Sequence, residues 1–258
     1  MFDRRSGALL LTLIAAGAHA TELIALTDRG TLIAFPSDRP AEAHTLTMAA
    51  CPGQLLGIDR RPADQKIYGL TDTNDIVRLD LDAHTCSRVS TLTIPFSGGN
   101  RGGLDFTPQL DRLRCVSADG QNLRIHPTLG ATALDTALAY ASDDPQVGRR
   151  PEITAAGYTH NVANTPTTTL YEIDAAADTL VIQDPANEGT LRTVGPLGVD
   201  AGTAAGFEIV TDPDGTEHPW LALGHTLYGV DLTNGHATPI GQIGSEEIAV
   251  VSLASRAP

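Results

Sequence analysis

From Glu22 onward the apolar positions recur in short runs broken by Gly, Pro, Asp and Asn, and no stretch carries a helical period. One phrase returns within this pattern: a small residue, an apolar residue, then a variable one. It reads Gly57-Ile58-Asp59, Gly103-Leu104-Asp105, Gly157-Tyr158-Thr159 and Gly206-Phe207-Glu208, with Ala249-Val250-Val251 as a degenerate fifth copy. The starting residues lie 46, 54, 49 and 43 positions apart. Periods of this size, with several strands per unit and no helix, predict propeller blades.

Each phrase opens a similar set of strands. Second strands are predicted at 66–70, 112–117, 168–173 and 219–223, and third strands at 75–81, 122–126, 179–183 and 226–232. Fourth strands follow at 87–92, 131–140, 190–195 and 237–243. The two ends supply one more unit. Residues 22–27, 31–35 and 43–48 read as second, third and fourth strands without a first, and 247–253 as a first strand without the others. The predicted fold is therefore all-β: a five-bladed β-propeller of four-stranded blades, closed by N-terminal strands pairing with the C-terminal strand. Closure of this kind removes sheet edges that would otherwise invite aggregation.

The N-terminus reads as a signal peptide over residues 1–20. Arg4 and Arg5 give a positive start, Ala8 to Ala16 an apolar run too short to span a bilayer, and Ala18-His19-Ala20 a cleavage site. The mature part, 21–258, is one propeller domain exported to the periplasm or beyond the cell. Cleavage takes the formal net charge from −14 to −15, because the leader carries Asp3, Arg4 and Arg5. That balance excludes nucleic acid as a partner and disfavours anionic membrane surfaces, which need basic patches. Cys51 and Cys86 stand in polar, turn-like surroundings and are expected to form a disulfide in an exported protein. Cys115 lies in an apolar strand pattern and reads as a buried thiol.

Several segments resemble the bacterial domain of unknown function 4394 family. They are Gly102-Gly103-Leu104-Asp105-Phe106-Thr107-Pro108, Asp111-Arg112-Leu113-Arg114 and Gly120-Gln121-Asn122-Leu123-Arg124-Ile125. Thr169-Leu170-Tyr171-Glu172-Ile173-Asp174, Gln183 through Leu191 and Val194-Gly195-Pro196-Leu197-Gly198 belong with them. The resemblance covers essentially the whole mature chain. It implies an exported, propeller-like bacterial protein and implies no activity.

Candidate chemistry comes from three groups of residues. Asp59, Asp105 and Glu208 end the recurring phrase, and carboxylates from several blades at one level are candidates to hold calcium; the alternative is that each caps its own turn. Arg101, Arg112, Arg114, Asn122 and Arg124, with Asn100 and Gln121, fall within one blade. They are either a carboxylate-, phosphate- or sugar-binding cluster or an ion-pair network that would draw on Asp105 and Asp111. Tyr158, His160, Asn161, Gln183 and Asn187 offer hydrogen bonds to a polar ligand. The ligand-binding candidates are thus Asp105, Asn122, Arg124, Arg101, Tyr158, His160, Gln183 and Asn187. No serine-hydrolase elbow, phosphate loop, His-Glu-x-x-His or dinucleotide fingerprint occurs. The expected function is a non-catalytic binding or scaffold propeller for a small polar ligand or a protein partner. The alternative is a calcium-assisted hydrolase of lactonase type at the channel mouth, with Ca²⁺ held by Asp105 and Glu208; beyond calcium no cofactor is implied.

Overall fold

The computed structural model describes residues 20–99, 101–244 and 248–256, so the signal-peptide reading and Asn100 lie outside the described residues, apart from Ala20. Strands are numbered in chain order. The first sheet joins both ends of the chain: β1 (Glu22–Thr27), β2 (Leu32–Pro36) and β3 (His44–Leu46) follow β21 (Val250–Ser255) in the order β21-β1-β2-β3. The second blade is β4 (Leu55–Arg61), β5 (Lys66–Thr71), β6 (Asp75–Asp80) and β7 (Thr85–Thr91). The third is β8 (Gly102–Thr107), β9 (Arg112–Ser117), β10 (Asn122–Ile125) and β11 (Thr132–Leu134). The fourth holds β13 (Ile153–Tyr158), β14 (Leu170–Asp174), β15 (Thr179–Gln183) and β16 (Thr190–Pro196), with β12 (Ala139–Tyr140) added in parallel at its outer edge. The fifth is β17 (Ala205–Thr211), β18 (Glu217–Leu223), β19 (Thr226–Val230) and β20 (Ala237–Gln242). This is the five-bladed ring that the repeat predicts, closed where β1 pairs with β21.

The innermost strands β21, β4, β8, β13 and β17 touch one another in a closed circle. Every residue of β13 and β21 is buried, whereas the outermost β7 and β20 are largely exposed. The burial gradient puts the axis at the inner strands. Five apolar clusters fill the wedges between blades. One joins Tyr68, Leu70 and Ile76 of the second blade to Phe106, Leu113 and Leu123 of the third. Another joins Leu23, Ala25 and Phe35 of the first to Trp220 and Leu227 of the fifth. Blade-to-blade packing is therefore the core of the molecule.

The small residue of the recurring phrase follows from this ring. A Cβ on Gly103 would stand 2.7 Å from the Ala156 nitrogen of the next inner strand, and one on Gly206 would stand 2.8 Å from Leu253. At the level of Gly206 the neighbour presents Ser252 and Leu253, and the Ser252 hydroxyl bonds both the N–H and the carbonyl of Ile58. The fifth copy is thus Ser252-Leu253-Ala254 rather than 249–251.

Two strands depart from expectation. The last strand is Val250–Ser255, later than 247–253, and Glu247 lies outside the described residues. The fourth strand expected at 131–140 divides into β11 and β12 around Asp135, which turns inward to receive two arginines. Beyond it the chain crosses to the next blade, where the N–H groups of Thr136 and Ala139 donate to the carbonyls of Asn187 and Gly189. Cys51, in the link between the first two blades, is disulfide-bonded to Cys86 in β7 with a Cα separation of 5.0 Å. Cys115 is free and buried. Among the described residues no helix is long and apolar enough to cross a membrane.

Candidate functional site

On the axis the structure brings Asp59, Asp105 and Glu208 together from β4, β8 and β17. They are 1%, 2% and 1% exposed, and one oxygen from each lies within 4.8 Å of the others. Asp59 accepts the N–H of Arg60 (2.5 Å) and, across the blade gap, that of Phe106 (2.7 Å). It therefore ties the next blade as well as capping its own strand. Glu208 accepts the Ser255 hydroxyl at 2.8 Å, and Ser255 in turn accepts the Arg60 Nε at 3.0 Å. Among the described residues one oxygen of Asp105 and one of Glu208 have no hydrogen-bond partner. Burial pushes the Asp59 carboxyl up to about 7. Burial first, then the neighbouring carboxylates, holds Asp105 and Glu208 well above the usual range. Thr159, the third phrase's equivalent, instead caps the Thr169 N–H.

A second polar feature opens between the third and fourth blades. It is a cleft of about 490 Å³ whose walls include Arg114, Arg124, Tyr158, Gln183 and Asn187, with the loop at Thr107–Leu110 over it. Register explains the wall. Asp105, Arg114 and Arg124 are cross-strand partners, so one row of the third blade runs from the axis outward on a single face. Two arginines directly opposite would repel. Asp135 resolves this by accepting from Arg114 Nη1 at 2.7 Å and from Arg124 Nη2 at 3.1 Å. Arg114 also donates to the side-chain oxygens of Asn122 and Asn187, each at 2.7 Å. Burial raises the Asp135 carboxyl, but Arg124 and Arg114 more than offset it and hold the group below its usual range. Among the described residues the buried Arg114 Nε and Gln183 Oε1 have no partner, although both residues line the cleft.

Behind the cleft, burial pushes the Tyr158 hydroxyl up to about 12 against the opposing pull of Arg114. Glu172 of β14 is fully buried, and among the described residues neither of its oxygens has a hydrogen-bond partner. Burial lifts its carboxyl to about 8, with Arg114 pulling the other way and Asp174 adding to the rise.

The sequence-predicted residues separate accordingly. Arg124, Tyr158, Gln183 and Asn187 meet in the cleft, and Asn122 stands behind it, donating to the carbonyls of Thr136 and Ala186 at 3.0 Å each. Asp105 belongs to the axis. Arg101 is on another surface, donating to Glu152 at 2.9 Å, and His160 is half exposed with its N–H on Glu217. The acid partner of Arg114 is Asp135 rather than Asp105 or Asp111, because Asp111 is taken by Arg61 of the second blade. Arg114 itself was signalled by strand alternation, which sets it opposite the buried Leu113 and Cys115.

No curated protein matches the chain. Among solved structures, a structural genomics protein of unknown function from Bacteroides thetaiotaomicron is similar with a TM-score of 0.53 and 15% identity, over 92% of this chain and 62% of that one. This chain thus spans about three fifths of that protein's length. An auxiliary nutrient binding protein from Bacteroides thetaiotaomicron (TM-score 0.49, 12% identity, 92% of this chain and 64% of that one) is also similar. So is a structure described as a putative 6-phosphogluconolactonase from Bacteroides uniformis (TM-score 0.46, 12% identity, 89% of this chain and 84% of that one). These likenesses concern fold alone. Residues 31–254 match the family described as a Domain of unknown function (DUF4394), and the chain belongs to that family.

Proposed function

We propose that this protein is an exported binding propeller that holds a small polar ligand, bearing an anionic or hydroxyl oxygen, in the cleft between its third and fourth blades. The observation that carries the reading is the pair of unsatisfied buried groups at its wall. Arg114 Nε and Gln183 Oε1 are a donor and an acceptor without partners. Leaving such groups unmatched costs about 1–3 kcal/mol each, and a ligand that draws either side chain out of the wall would recover part of it. The volume of about 490 Å³ suits a molecule of sugar or small organic acid size. The rigid arginine pair suits a planar or multidentate oxygen group. The wall carries one carboxylate, Asp184, beside two arginines and the amides of Gln109, Gln183 and Asn187, a set suited to holding a polar ligand.

The test is a thermal-shift and calorimetric screen of small carboxylates, sugars and sugar acids. Arg124 is 34% exposed, so Arg124→Ala is a mild change to the fold. A ligand found with the native protein should bind Arg124→Ala roughly tenfold or more weakly, the loss of one charge-assisted hydrogen bond. Arg192→Ala, on an exposed ion pair elsewhere, should bind as the native chain does. Equal affinity in Arg124→Ala would place the ligand outside this cleft.

A further inference from the structure

We propose that Asp59, Asp105 and Glu208 together hold one hard divalent cation, calcium foremost, on the axis of the ring. The site is separate from the cleft and does not depend on its ligand. Three of the five inner strands contribute a carboxylate, and one oxygen from each lies within 4.8 Å of the other two. Opposite ligands of a calcium ion stand about 4.6–5.2 Å apart, so the three oxygens fit within one coordination sphere. The donor set is oxygen only, without Cys or His, which suits Ca²⁺ or Mn²⁺ over Zn²⁺ or Cu²⁺.

Two further observations point to an occupant. Asp105 Oδ1 and Glu208 Oε2 are buried, unpartnered acceptors in residues that are 98% and 99% covered. Hydrogens that reach the cluster are already placed. The Phe106 and Arg60 N–H groups go to Asp59, the Ser255 hydroxyl to Glu208, and the Arg60 Nε to Ser255. The charge balance agrees. Arg60, 6% exposed, is the cation beside the three carboxylates, and an ion of charge two would complete their neutralisation. The only other way to relieve the burial of three carboxylates is to protonate two of them, and that state gives a different outcome below.

The protein as purified at neutral pH is analysed for metals. It is then dialysed against chelator and titrated with CaCl₂, MnCl₂ and MgCl₂ by calorimetry and by melting. The expected result is one divalent ion per chain and a melting temperature that rises with added Ca²⁺ or Mn²⁺. Asp105→Asn and Glu208→Gln keep side-chain shape, and each should weaken binding by roughly tenfold or more. The cleft ligand should bind all forms alike. Three results would overturn the proposal. The first is no retained ion and no melting response to millimolar cation at pH 8. The second is an infrared carboxylic-acid band from the axial side chains that Ca²⁺ does not remove. The third is a cation whose stoichiometry and melting shift persist in Asp105→Asn/Glu208→Gln, an adventitious ion only. The measurements on the native chain decide the matter even where a variant fails to fold.

Discussion

Glu172 shows how a single side chain can set a pH dependence for the whole ring. It is fully buried in β14, and neither oxygen has a hydrogen-bond partner. Its nearest charged influences are Arg114, which favours the anion, and Asp174, which opposes it. Burial wins, and the carboxyl sits at about 8 in the fold, against 4.5 for an ordinary glutamate in water. Below 4.5 the group is protonated in both states and costs nothing. As pH rises towards 8 the unfolded chain ionises while the folded one stays neutral, so stability falls across that window. One pKa unit corresponds to about 1.4 kcal/mol, so the loss is on the order of a few kcal/mol by pH 8. Glu172→Gln cannot ionise. Its melting temperature relative to the native protein should therefore climb between pH 5 and 8 and level off below. A constant difference across that range would show that Glu172 is ionised in the fold.

At the scale of elements, the disulfide is a staple on the entry to the second blade. Cys51 sits in the connection from β3 to β4, Cys86 in the outermost strand β7, and the Ala49 N–H donates to the His84 carbonyl beside them at 2.9 Å. The bridge closes a 35-residue separation, which corresponds to roughly 4 kcal/mol of chain entropy. Cys51→Ala/Cys86→Ala should thus melt roughly 10 °C lower while keeping its strand content by circular dichroism. An unchanged melting temperature would show that the staple restrains nothing the ring does not already hold.

The elements also show what was readable beforehand and why. The phrase at Gly57, Gly103, Gly157 and Gly206 was legible because at all four positions the next inner strand stands close to where a Cβ would go, closest at Gly103 and Gly206. The axial carboxylates were legible as a level for the same reason, since they occupy one position of the repeat. The cleft was not, because it is made where the repeat breaks. Asp135 lies in the gap between β11 and β12, and Asn187 arrives on a short 3₁₀ turn (Ala186–Glu188) of the next blade. Arg101 and His160 look equally suitable in sequence, yet nothing periodic marks them as facing other surfaces. The fifth phrase was misplaced by three residues because Ser252 replaces the glycine, and its hydroxyl meets the neighbouring backbone instead of leaving room for it.

For the whole molecule, the closure carries the argument. β21 is the only described strand from the C-terminal end, yet it completes the first blade and lines the axis between β17 and β4. All six of its residues are buried. Val250, Val251 and Leu253 alone bury apolar side chains worth about 1.5–3 kcal/mol each. That total rivals the 5–15 kcal/mol by which a typical domain is stable. Removing the strand would also uncover the edge of β1 and strip Glu208 of the Ser255 hydroxyl and Ile58 of the Ser252 hydroxyl. A chain ending at residue 248 should therefore lose its cooperative melting transition. A synthetic peptide spanning 248–258 should restore it in trans, since an open edge beside β1 has both the hydrogen-bond ladder and the apolar slot waiting. If the shortened chain melted as the full chain does, the ring would owe its integrity to the four continuous blades alone. If it unfolded and the peptide failed to rescue it, β21 would have to be covalently present for the other blades to close.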